Sequence, residues 1–255
     1  MKTWCMLLVG IFLLVSCLGV GLATPPTRTN LGTASGLIYH DGLRDITIWC
    51  QYPDLVNWAK LASQIDVIYP FDAGAADDFQ SATDYAATHI QWWGGQWNYT
   101  GYGATPPPCG PDYFVITFYH FGSTCYPPDP MPVAPNYWPN NYYYQEIVTS
   151  WNEIVLDAAY NLVEYDADIG PVLMDAGGVY WLEIQAVMDF SSCGQWGWLK
   201  STETWNCPTA RGFPLLGSPY WYSDTTYPAV AFCLYSDQSV AVDGRTWGNV
   251  KALYR

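Results

Sequence analysis

The sequence predicts an all-β fold: a single jelly-roll-like antiparallel β-sandwich with disulfide-linked loops. Three observations carry that expectation. Several segments alternate apolar and polar residues with period two, as half-buried strands do. Proline and glycine, 19 and 22 of them, punctuate the whole length, as in a chain of many short strands. Six cysteines lie beyond an N-terminal leader, an even number suited to a disulfide framework.

The elements follow in chain order. Met1-Lys2 is followed by an uncharged apolar run from Trp4 to Ala23, and Gly21-Leu22-Ala23 supplies small residues at a cleavage site, so residues 1–23 read as a secretory signal peptide. Leu14-Val15-Ser16-Cys17 also fits a lipobox, the alternative in which Cys17 carries a lipid anchor. Residues 24–45 form an N-terminal extension, 46–236 the sandwich, and 237–255 a C-terminal tail. Removing the leader takes away Lys2, leaving 9 − 1 = 8 basic against 23 acidic residues, a net charge of −15. So acidic a chain repels polyanions, which excludes nucleic acid as a partner. With the leader removed, no membrane association is expected.

Within the sandwich, Asp54 to Ile65 ("DLVNWAKLASQI") is the one segment that reads as a short helix. In "AATHIQWW", Ile90 and Trp92 share one face, and His89, Gln91 and Trp93 the other. In "YFVITFYH", Phe114, Ile116 and Phe118 oppose Tyr113, Val115, Thr117 and Tyr119. In "VYWLEIQAVM", Tyr180, Leu182, Ile184, Ala186 and Met188 make an apolar face, opposite Trp181, Glu183 and Gln185. Val230, Phe232 and Leu234 align in "AVAFCLY". Side chains alternate across a strand, so the apolar sets point inward and the mixed sets outward.

That parity selects candidate binding residues. Trp93 beside Gln91, and Trp181 beside Glu183 and Gln185, combine flat rings with hydrogen-bonding groups, the composition that holds carbohydrate. Trp196 and Trp198 in "GQWGWL" form a second candidate platform, and Trp97, Trp205 and Trp221 lie near turns. Carbohydrate binding is thus the leading expectation, with a structural cell-surface or matrix protein as the second. A secreted glycoside hydrolase is the third; it requires Glu183 to face another acid about 5–10 Å away, and no catalytic motif accompanies it. Asp72, Asp77 and Asp78 in "PFDAGAADDF" are candidate ligands for a structural calcium ion. His40, His89 and His120 are widely spaced and read as structural or surface groups. Asn98-Tyr99-Thr100 matches a glycosylation sequon, and the stripe Trp247, Val250, Leu253 and Tyr254 suits a tail for sorting or anchoring.

The cysteines Cys50, Cys109, Cys125, Cys193, Cys207 and Cys233 admit fifteen pairings. The most economical joins Cys109 to Cys125 and Cys193 to Cys207 across short loops, and Cys50 to Cys233 across the domain.

The segments "YPFDAGAADDF", "HIQWWGGQWN", "FVITFYH", "DAGGVYWLEIQA", "GQWGWLKS" and "AVAFCLYS", in that order from about Trp49 to Ser236, resemble a family of uncharacterised secreted bacterial β-sandwich domains. The family pattern runs ADDF or ADDW, WWG, YWLxIxA, WGW, AFxL. The resemblance implies an exported jelly-roll-like domain and no catalytic residues. The ending "TWGNVKALYR" is similar to short tails of exported bacterial proteins. The extra cysteines Cys109, Cys125, Cys193 and Cys207 depart from the family pattern.

Overall fold

The computed structural model describes residues 45–68, 72–82, 84–97, 109–121, 125–128, 142–213 and 218–237. The leader with Cys17, His40, the sequon and the tail from residue 238 onward lie outside them. Among the described residues the alternating segments become strands β1 (Asp45–Gln51), β2 (Lys60–Ala62), β3 (Gln64–Asp66), β4 (Asp72–Gln80), β5 (Ala86–Trp97), β6 (Tyr113–His120) and β7 (Tyr144–Val148). They continue with β8 (Asn152–Asp157), β9 (Leu162–Leu173), β10 (Val179–Met188), β11 (Gln195–Leu199), β12 (Ala210–Phe213), β13 (Ser218–Ser223) and β14 (Phe232–Asp237). A single-turn helix α1 (Phe190–Cys193), capped by the Asp189 side chain, joins β10 to β11.

Two seven-stranded sheets form the sandwich. In the first, β9 lines one side of the long strand β5, with β8 outside it; the other side is shared by β14 and β1 on the N-terminal half and β11 and β2 on the C-terminal half. The second runs β13-β12-β4-β3-β10-β6-β7, with β4 also pairing directly to β10. Its β3–β10 pair is parallel, a departure from the otherwise antiparallel pairing.

The predicted inward sets meet between the sheets. Ile90 and Trp92, Phe114, Ile116 and Phe118, Tyr180 to Met188 on alternate positions, and Val230, Phe232 and Leu234 all belong to one buried cluster. At its centre Trp92 stacks on Tyr165 (centroids 5.4 Å, planes 16° apart), and Phe114 meets Trp92, Tyr165 and Trp196 edge-on at 5.0, 5.1 and 5.3 Å. Edge contacts of this kind follow from the ring quadrupole. A polar clamp closes one side of the core: Asp77 on β4 accepts from Gln51 Nε2 (2.6 Å) on β1 and from the Val230 amide (2.9 Å), joining the two sheets.

The glycines of "WWGG" answer a packing need. A Cβ on Gly94 would lie 2.5 Å from the Trp196 ring, and one on Gly95, whose φ is +154°, would lie 1.8 Å from the Asn161 carbonyl oxygen. Only glycine lets β5 approach β11 and the β8–β9 turn this closely.

Two expectations are corrected. The Asp54–Ile65 segment is a loop followed by β2 and β3. Strand partners distant in sequence, such as Trp198 opposite Leu61, override its helical spacing, and Leu55 and Val56 stay exposed. The disulfides are Cys50–Cys233, as expected, but Cys109–Cys193 and Cys125–Cys207 in place of the short-loop pairs. The cause is strand order. Pairing of β6 with β10 brings the chain before β6 to the chain after β10, where the Asp112 amide donates to Val187 O, and so Cys109 meets Cys193.

Two measurements check this architecture. Non-reducing peptide mapping should recover the Cys109–Cys193 and Cys125–Cys207 peptides and neither short-loop pair. Trp92→Ala should cost about 3–5 kcal/mol in chemical denaturation; a loss below about 1 kcal/mol would place Trp92 outside the core.

Candidate functional site

Parity assigns the candidate tryptophans to the correct faces, but not to the surface. Trp93 and Gln91 do lie on the outer face of the first sheet, and Trp181, Glu183 and Gln185 on that of the second. All five side chains are nonetheless buried. The expectation that they present an exposed platform is therefore corrected. Trp196 and Trp198 share a face as expected, but it is the inner one, where both are fully buried. Trp221 is buried as well, and Trp205 packs edge-on against Trp49 at 5.6 Å.

On the first sheet the outer polar groups satisfy one another. Glu164 of β9 accepts from Gln91 Nε2 (2.7 Å) and from Trp93 Nε1 (2.9 Å), and Tyr235 OH donates to Gln91 Oε1 (3.0 Å). The ring of Tyr52 lies over Trp93, with centroids 6.1 Å apart. Next along the face, His89 is held between Asp166 (2.7 Å) and Asp168 (3.0 Å). Burial alone would push the imidazole down, but hydrogen bonds and charge from the two aspartates outweigh it and raise its pKa to about 9.

The outer face of the second sheet is different. Strand register sets Trp181 beside Asp78 on one neighbour and Tyr119 on the other, and Glu183 beside Thr117. Tyr119 OH donates to Glu183 Oε2 at 2.6 Å, Gln185 Nε2 donates to Ala73 O at 3.0 Å, and Gln145 Nε2 donates to Thr117 Oγ1 at 2.8 Å. Phe121 stacks parallel to Trp181 at 6.2 Å, and Cys207, Tyr126 and Trp221 complete the cover. Among the described residues, Glu183 Oε1 and Trp181 Nε1 have no hydrogen-bond partner. Burial drives the Glu183 carboxyl up to about 8; the Tyr119 hydrogen bond opposes this and the charge of Asp72 adds to it. Glu183 is therefore a neutral acid at pH 7, sealed from solvent.

The three aspartates of "PFDAGAADDF" do not converge on an ion. Neighbours in a strand face opposite ways. Asp77 points inward to Gln51 and Val230, while Asp78 points outward and accepts from Asn206 Nδ2 (2.7 Å) and the Cys207 amide (3.3 Å). Among the described residues, no group of three or more His, Cys, Asp or Glu side chains is arranged to hold a metal. Sequence reasoning passes over Tyr119, Thr117 and Glu164 as partners of the candidates; the period-two set of residues 113–119 is the signal for the first two.

A two-sheet sandwich with an aromatic core and three long-range disulfides defines the class of protein: a disulfide-tied β-module of an oxidising compartment. Among the described residues no helix is long and apolar enough to cross a membrane. The chain belongs to the DUF7901 family, a domain of unknown function, whose model matches residues 47–239. No curated protein and no solved structure matches the chain.

A pH signature follows for each face. His89 has a folded pKa above its unfolded value, so its stabilisation is complete below about 6.5 and is lost as pH rises through about 9. His89→Gln should remove up to about 3 kcal/mol at pH 6 and flatten the decline between pH 7 and 9. Glu183 also binds its proton more tightly when folded, so its contribution falls as pH rises from about 4.5 to about 8. Glu183→Gln should therefore raise Tm at pH 8 relative to wild type and leave it nearly unchanged at pH 4. Calorimetry across pH 4–9 reads both.

Proposed function

We propose that the chain is a secreted, non-catalytic structural module that works through protein contacts, its partner being a second copy of the same chain. The observation that carries this reading is an apolar patch on the outside of the first sheet. The loop after β1 exposes Tyr52 (48%), Leu55 (43%) and Val56 (87%), and the β8–β9 turn exposes Tyr160 (53%). Trp58 joins the two segments through a ring contact with Tyr160 at 4.9 Å.

The patch is held in shape. Asp54 accepts from the Val56 and Asn57 amides (3.1 and 2.8 Å) and pairs with Lys200 at 3.2 Å, contacts that hold its carboxyl below the ordinary range. Lys60 donates to the Gln96, Tyr160 and Asn161 carbonyls at 3.0, 2.7 and 3.0 Å, fixing the neighbouring turn. A rigid apolar surface loses little conformational entropy on docking. Lys60 and Lys200 sit within it, beside Asp157 and Asp54, so on a strongly acidic chain the patch itself carries little excess negative charge. The sealed tryptophans and the satisfied network around Glu164 favour this reading over a sugar platform, and the buried state of Glu183 disfavours attack on a glycosidic bond.

Sedimentation velocity on oxidised residues 24–255 tests the proposal. Self-association should strengthen from 20 mM to 0.5 M NaCl as the net charge is screened. Val56→Glu should abolish it with Tm unchanged, since Val56 is largely exposed. A chain that stays monomeric in both salts while binding a polysaccharide array would overturn the reading.

A further inference from the structure

The second sheet carries an apolar patch of its own. Beyond Gln185 on the outer face of β10 comes Val187, opposite Ile65 of β3, and Val115 of β6 lies opposite Ile147 of β7. Residues opposite one another in register share a face of the sheet, and Ile65, Val115 and Val187 form one buried cluster there. Around that floor Ile147 is 44% exposed, and at the end of β3 Val67 and Ile68 are 52% and 61% exposed. The turn that displays them is fixed: the Val67 amide donates to Met188 O (3.2 Å) and the Ile68 amide to Asp66 Oδ1 (2.9 Å). It repeats the device of the first patch, where Asp54 holds the Val56 amide and leaves Leu55 and Val56 facing solvent.

Charge separates the two patches. Among the described residues the lysines and arginines are Lys60, Lys200 and Arg211. The two lysines belong to the patch on the first sheet, and the more exposed member of the Lys200–Asp54 pair is the lysine, 22% against 7%. Arg211 on β12 is engaged by Asp224 at 3.0 Å. Strands β3, β4, β6, β7 and β10 hold no lysine or arginine, and Asp66, Asp112 and Asp189 adjoin the second patch. Two copies meeting through their second patches would set acid against acid. First patch against second sets lysine beside aspartate instead.

We propose that the Val56 patch of one copy docks on the Val67, Ile68 and Ile147 patch of the next, so that copies join head to tail. The inference rests on the self-association proposed above and adds its geometry. A contact between unlike patches leaves one patch free on each member of a pair. Assembly therefore continues beyond the dimer, into a ring where the rotation closes and a filament where it does not.

Sedimentation velocity on the oxidised chain, residues 24–255, with complementary variants tests the geometry. Wild type should form species larger than a dimer that grow with concentration. Ile68→Glu and Val56→Glu should each weaken association by more than about tenfold, with Tm unchanged because both side chains are largely exposed. Mixed one to one, the two variants should recover association as a dimer and no further, since each supplies the patch that the other lacks. Ile147→Glu, on a different strand, should behave as Ile68→Glu does and mix with Val56→Glu in the same way. If Ile68→Glu and Ile147→Glu both associate like wild type, the second patch is overturned and the first remains as a like-with-like contact. A mixture that stays monomeric, or a wild type that stops at a dimer at every concentration, would overturn the head-to-tail geometry. Val56→Glu associating like wild type would overturn the self-association itself.

Discussion

The stack of Trp92 on Tyr165, bounded by Phe114 and Trp196, is the contact on which the remaining architecture depends. These rings come from β5, β9, β6 and β11, so one cluster fixes the separation of the sheets and the register of their central strands. Rings this large fit only where the opposing backbone is bare, and Gly94 supplies that space beside Trp196. Inter-sheet packing at native density leaves few alternatives once such rings are placed. The disulfides and the Asp77 clamp then tie together segments that the aromatic core has already brought near.

Burial of the core faces was legible because it needs only alternation. Phe114, Ile116 and Phe118, and the five residues from Tyr180 to Met188, occupy the positions that period two assigns them. Whether an outward residue reaches water is a different question, decided by segments far away in the chain. Tyr52 covers Trp93 from 41 positions earlier, and Cys207 and Phe121 cover Trp181 from both directions in the sequence. Nothing within a strand records such cover. Two of the three disulfide pairings escaped the sequence for a related reason: short loop closure was the guide to Cys109, Cys125, Cys193 and Cys207, whereas strand order decides which of them meet. Lys60, within the segment that reads as a short helix, donates to three carbonyls of distant segments.

The two outer faces show two ways of burying polar groups beside indoles. On the first sheet every member of the Gln91, Trp93, Glu164 and Tyr235 set has a partner, and such a network stiffens a surface. On the second, the carboxyl of Glu183 is only half engaged and stays protonated in compensation. An ionised form there would bear the cost of burial without a counter-charge. The difference leaves the first face with its polar groups paired and the second with one buried carboxyl oxygen and one indole N–H unpaired among the described residues.

The close approach of Gly94 and Gly95 to β11 makes two stretches about a hundred residues apart in the sequence depend on one another. "WWGG" and "QWGW" are two halves of one joint: Gly94 lies opposite Trp198, Gly95 opposite Gly197, and a Cβ on Gly197 would strike the ring of Trp97 at 2.5 Å. Each half constrains the other by shape alone, without reference to any bound molecule. A chain that carries both halves inherits the joint, and with it the sheet.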